Sequence, residues 1–116
     1  MKYTIMIYES PTSLGMRTDP AKQQAYSAGF TAYSKSLQEA GVMVGGAGLQ
    51  LPATATTVRM LDGKRQVQDG PFADTKEQLG GFYIVDVPSL DDALDWAARV
   101  PVGTGSVLEV RPNLAM

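Results

Sequence analysis

The chain has 116 residues, with ten Lys/Arg against twelve Asp/Glu for a net charge of −2, and it contains neither cysteine nor histidine. That length suits one domain with a real core, and the mild acidity without any Lys/Arg run argues against a nucleic-acid or anionic-membrane surface. The missing side chains exclude disulfides, thiolate nucleophiles, iron–sulfur clusters and Cys-type zinc sites. Any metal is left to an all-oxygen site, and any acid–base chemistry to a shifted carboxylate, lysine or tyrosine.

Residues 3–9 are rich in Ile and Tyr and read as a strand. The start runs straight into it without the apolar stretch of a signal peptide, and no segment approaches the ~20 apolar residues of a membrane span, so a cytoplasmic location is expected. Residues 10–18 read as a loop. Asp19-Pro20 predicts a helix start, an N-cap acceptor before proline at the first helical position. The stripe Tyr26, Phe30, Tyr33, Leu37, Ala40 advances by three or four residues to Gly41, which suits a helix C-terminus. Gly29 inside that helix predicts close packing against the sheet.

Residues 42–49 resume as a glycine-loosened strand. Thr57–Leu61 and Arg65–Gln68 flank Asp62-Gly63-Lys64, a hairpin signal. Residues 69–78 read as a loop and Phe82–Val87 as the clearest strand. Ser89 with Asp92 resembles a capping box, Leu90, Leu94 and Ala97 predict the apolar face of the next helix, with Trp96 and Val100 widening it, Pro101 ends it, and Val107–Arg111 is a last strand. With no linker or repeat, residues 1–116 read as a single domain. The order predicts an α+β, ferredoxin-like βαββαβ fold with an inserted β-hairpin, its antiparallel sheet carrying two helices on one face.

Strand alternation divides the sheet. Ile5, Ile7, Tyr83, Val85, Val87, Leu108 and Val110 suit the helix side. Met6, Tyr8, Phe82, Ile84, Asp86, Val107, Glu109 and Arg111 are left on the open side. That open face is too apolar for water, so a homodimer packing two such faces around a partly polar cavity is expected.

The segment Asp69-Gly70-Pro71-Phe72-Ala73-Asp74-Thr75-Lys76-Glu77, continuing through Gln78-Leu79-Gly80-Gly81-Phe82-Tyr83, resembles the hallmark of the YCII-related proteins in their DGPF-domain branch, which typically carries Glu at the position of Asp74. The resemblance extends to Pro52–Arg59, Ala97–Pro101 and Gly105–Pro112, nearly the whole chain. It implies a dimeric α/β-barrel arrangement, two ferredoxin-like sheets face to face around a cleft. Smaller relatives carry a His–Asp pair proposed for acid–base catalysis, and a chain without histidine cannot repeat it. Members of the branch often lie in genomes beside extracytoplasmic-function sigma factors, which implies a regulatory or sensing context and no particular reaction.

Two readings of the signature segment stand side by side. In one, Asp69 and Gly70-Pro71 set a turn, Phe72 anchors the loop by burying its ring, and Thr75 caps a short helical turn. In the other, Asp69, Lys76 and Glu77 point into a cleft as a catalytic carboxylate–ammonium group, given strong desolvation. Tyr8, Arg59, Phe72, Asp86 and Arg111 are the candidate ligand-binding residues, weighed against ordinary surface ion pairs and a buried aromatic with a satisfied hydroxyl. The glycines at 45, 46 and 48 lack the ending of a phosphate loop, and no carboxylate cluster has calcium-loop spacing, so no cofactor or metal is expected. Two functions follow: a homodimer binding a small organic ligand between its sheets, or a cofactor-independent isomerase, lyase or oxygenase using Asp69, Lys76 and Glu77.

Overall fold

A computed structural model describes residues 1–115. Six strands and three helices follow one another: β1 (Lys2–Glu9), α1 (Pro11–Met16), α2 (Gln23–Glu39), β2 (Met43–Gly48), a 3₁₀ turn (Pro52–Thr54), β3 (Thr56–Leu61), β4 (Lys64–Asp69), β5 (Gln78–Asp86), α3 (Leu90–Ala98) and β6 (Val107–Pro112). β2, β5, β1 and β6 form one antiparallel sheet in that order, the ferredoxin-like arrangement, and it does not close into a barrel. β3 and β4 form a separate two-stranded ribbon, the inserted hairpin. Its turn has Asp62 at φ 52° and Gly63 at φ 75°, the left-handed pair that an Asp-Gly turn requires.

The core lies between one sheet face and the helices. Tyr3, Ile5 and Ile7 of β1 and Val85 of β5, with Val87 just beyond it, pack against Tyr33 and Leu37 of α2 and Ala93 and Ala97 of α3. Alternation along β1 and β5 therefore resolves the two faces as expected. Met6, Tyr8, Phe82 and Ile84 stay half-buried on the side without helices.

Four local expectations are corrected. Residues 10–18 hold α1: the Ser10 hydroxyl accepts from the Ser13 amide, and Pro11 fills the first turn. α2 begins at Gln23 because Asp19 spends its carboxylate on the Ala21 amide at 2.9 Å, closing a turn of its own. The buried stripe of α3 is Ala93, Ala97 and the following Val100, with Trp96 against it, while Leu90 and Leu94 are exposed; two alanines let the helix lie close on the sheet. Gly29 packs against Pro101, where a Cβ would meet the ring at 3.4 Å, rather than against the sheet. Among the described residues no helix is long and apolar enough to cross a membrane.

Candidate functional site

The signature loop is tied to the base of the hairpin. The Gly70 amide, at φ 100°, donates to the Ala55 carbonyl at 2.8 Å, and the Thr57 hydroxyl donates to the Gly70 carbonyl at 2.7 Å. Gln78 closes the other side, its amide donating to the carbonyls of Ala73 and Thr75. The loop holds no helical turn, and the Thr75 hydroxyl donates to the Glu77 carbonyl instead of capping one. Phe72 does not bury its ring: it is 72% exposed, with the Arg59 guanidinium 5.1 Å from the ring centroid. A groove of about 620 Å³ runs beside this loop, lined by Tyr8, Leu49, Leu51, Pro52, Phe72 and Leu79.

The sequence-derived candidates thus fall into separate groups. Tyr8 and Phe72 share the groove, and Arg59 stands over Phe72. Asp69 ends β4 and is exposed, as is Lys76, while Glu77 is half-buried. Among the described residues no hydrogen bond or ion pair joins these three side chains. Asp86 and Arg111 lie toward the other end of the sheet, Asp86 opposite Lys2 and Arg111 opposite Thr4, so that Asp86 is roughly 20 Å along β1 from Tyr8. Arg111 pairs with Glu109 at 2.7 Å. The N-terminal ammonium donates to Asp86 at 2.9 Å, and that hydrogen bond with its charge holds the Asp86 carboxyl below its ordinary range.

The most heavily buried charges lie elsewhere. β1 alternates Tyr3, Ile5, Ile7 toward the helices, and Glu9 continues the series with 0% exposure. Its carboxylate accepts from Arg17 Nη2 at 2.5 Å, from the Ser13 hydroxyl at 3.2 Å and from the Tyr26 hydroxyl. Arg17, from the end of α1, also donates through Nε to the Tyr26 oxygen at 3.1 Å and to the backbone carbonyls of Leu49 and Gly80. Burial, then hydrogen bonding to Glu9 and its charge, push the Tyr26 phenol well above its ordinary value, so it remains a donor. Gly80 makes the cluster possible: a Cβ there would lie 2.7 Å from Arg17 Nη2 and collide with the Glu9 carboxylate. Gly81 makes the next approach, where a Cβ would stand 2.8 Å from the Ala47 carbonyl of β2.

This cluster forms one end of a second cavity, of about 770 Å³, between α2 and the β2–β5 edge. Reading 10–18 as a loop hid it, because Arg17 has no place without α1. The available signal was the parity of β1, which carries Glu9 inward with Ile5 and Ile7.

The sequence profile of the YCII-related domain matches residues 1–115. An uncharacterised protein of Rhizobium meliloti is 39% identical over 117 residues, covering 97% of this chain and 91% of that protein. Among solved structures, the 5-chloro-2-hydroxyhydroquinone dehydrochlorinase of Burkholderia phenoliruptrix, in complex with 2,5-dihydroxybenzoquinone, is similar at TM-score 0.47 and 20% identity, over 94% of this chain and 91% of that one. By the profile match across its length and the Rhizobium relative, the chain belongs to the YCII-related domain family.

Proposed function

We propose that this YCII-related protein is a homodimer that binds a small organic molecule in the groove beside its signature loop, in a sensing or regulatory role. One observation carries the reading. The hairpin and loop leave Val58, Met60, Leu61, Val67 and Phe72 more than half exposed, next to a groove that already holds Tyr8 and Leu79. Val58 and Val67 are register partners, and Met60 is two residues along, so these three share one exposed face of the ribbon, flanked by Arg65 and Asp69. Surface of this kind marks an interaction site.

The molecule's shape favours a second copy as the partner. Its extents are 45 × 44 × 20 Å and its radius of gyration is 15.7 Å, against about 13–14 Å for a compact chain of this length. A flat body with helices on one side and a projecting ribbon gains most by closing its open face on itself, and two-fold pairing is the commonest way soluble chains do so. The partner would cover Met6, Phe82 and Ile84 and roof the groove, whose volume falls in the usual range for small ligands. Asp69, Lys76 and Glu77 then become rim groups. The enzymatic reading depends on a second copy closing over them.

The test joins light scattering to ligand screening. The wild type should scatter as a dimer at micromolar concentration, and Met60→Lys combined with Val67→Lys should scatter as a monomer with helical content retained. A panel of small organic molecules should raise the melting temperature of the wild type, with Phe72→Ala weakening the hit. A monomeric wild type contradicts the reading, as does a hit indifferent to Phe72→Ala.

A further inference from the structure

The cavity between α2 and the β2–β5 edge lies on the opposite side of the sheet from the groove, the two bordering each other at Leu49. Three of its lining residues are glycines: the space at Gly80 is taken by Glu9 and Arg17, Gly81 is pressed against the Ala47 carbonyl, and Gly48, with nothing within 4 Å of a Cβ position, is the open one. Phe30, Tyr26 and Tyr83 line it as well, so aromatic rings and the bare backbone at Gly48 border one slot. Such a slot suits a planar ligand.

Charge narrows the ligand further. Glu9 is the one acidic side chain lining the cavity, and it is saturated by Arg17, Ser13 and Tyr26. Arg17 and Lys35 line it as cations. Of the five guanidinium N–H groups of Arg17, four are committed, and one on Nη1 is left over. Lys35 stands at the mouth, 73% exposed and only 3.8 Å from Glu39, a weak surface pair that leaves its ammonium available. The hydroxyls of Ser34 and Tyr83, hydrogen-bonded to each other at 2.7 Å, add a polar edge between these ends. A lysine at the mouth, one spare guanidinium donor and an aromatic lining together suit a small planar anion.

We propose that this cavity is a binding site for a planar aromatic monoanion, an acid of the benzoate or phenolate type, seated against Gly48 with its charge toward Arg17 and Lys35. The open glycine supplies a clean test. A Cβ added at Gly48 meets nothing within 4 Å, so Gly48→Leu fills the slot without pressing on the backbone. Isothermal titration with benzoate and 4-hydroxybenzoate, against neutral benzamide, should give saturable binding of the acids and at least about tenfold weaker binding of the amide. Gly48→Leu should abolish binding while keeping the wild-type melting temperature within a few degrees, and Lys35→Met should weaken the acids several-fold without affecting benzamide. Phe72→Ala, in the groove on the other side, should leave binding unchanged, which separates failure of this site from failure of the groove. No saturable binding of either acid up to about 10 mM overturns the assignment. So does binding that survives Gly48→Leu, or that Phe72→Ala removes.

Discussion

At the scale of single residues, the fold turns on a carboxylate placed among hydrophobic side chains. Glu9 is tolerated because a guanidinium, a hydroxyl and a phenol all address it, and no buried side-chain polar atom among the described residues lacks a partner. Breaking such a set from one side is costly. Arg17→Met should destabilise by about 3–5 kcal/mol, because it strands a buried carboxylate, and chemical denaturation measures this directly. Glu9→Gln, which removes the charge and keeps one acceptor oxygen, should cost less than Arg17→Met, and the reverse order would contradict the cost assigned to stranding the carboxylate. The phenols give a signature with pH. Tyr26 and Tyr33 are both pushed up, first by burial, Tyr26 then by Glu9 and Tyr33 by Tyr83. In the unfolded chain they ionise near the ordinary value of 10.0, so the stability tied to their neutral forms is complete below about pH 10 and is lost as pH rises beyond it. Tyr33→Phe should flatten that alkaline decline, and an unchanged slope would contradict the assignment. Asp86 works in the opposite sense: its lowered value adds stability above the carboxylate range that disappears on acidification, and at an exposed site added salt should screen it.

At the scale of elements, most of the architecture was legible and the site was not. Parity along Tyr3–Glu9 and the Asp62-Gly63 turn identify the sheet faces and the hairpin from residues a few positions apart, where local rules act. α1 escaped because a six-residue helix carries too few turns for periodicity, and its only local marks are Ser10 and Pro11. Leu90 and Leu94 look like core in the sequence of α3, whereas close contact with the sheet is made by alanines. The Glu9 cluster joins β1, α1, α2 and β5, separated by up to 71 positions, so no local pattern announces it. The Gly80-Gly81 pair does leave a mark in the sequence, with a physical cause only the fold reveals. Gly80→Ala should destabilise strongly through collision with Glu9 and Arg17, whereas Gly48→Ala on the next strand should be nearly neutral. Equal melting temperatures for the two variants would refute this explanation of the motif.

At the scale of the whole molecule, a sheet covered on one side and a ribbon with exposed apolar residues are the features the proposed homodimer rests on. The proposed homodimer would account for three features together: the half-buried Met6, Tyr8, Phe82 and Ile84, the exposed Val58, Met60 and Val67, and a body only 20 Å thick. It also determines whether Asp69, Lys76 and Glu77 lie in water or in a closed cleft. Light scattering coupled to size exclusion, at micromolar protein and near-neutral pH, tests this most directly. The account predicts a mass of twice 12.4 kDa that falls to 12.4 kDa in the Met60→Lys, Val67→Lys variant, and a wild type that elutes at 12.4 kDa across that concentration range would contradict it.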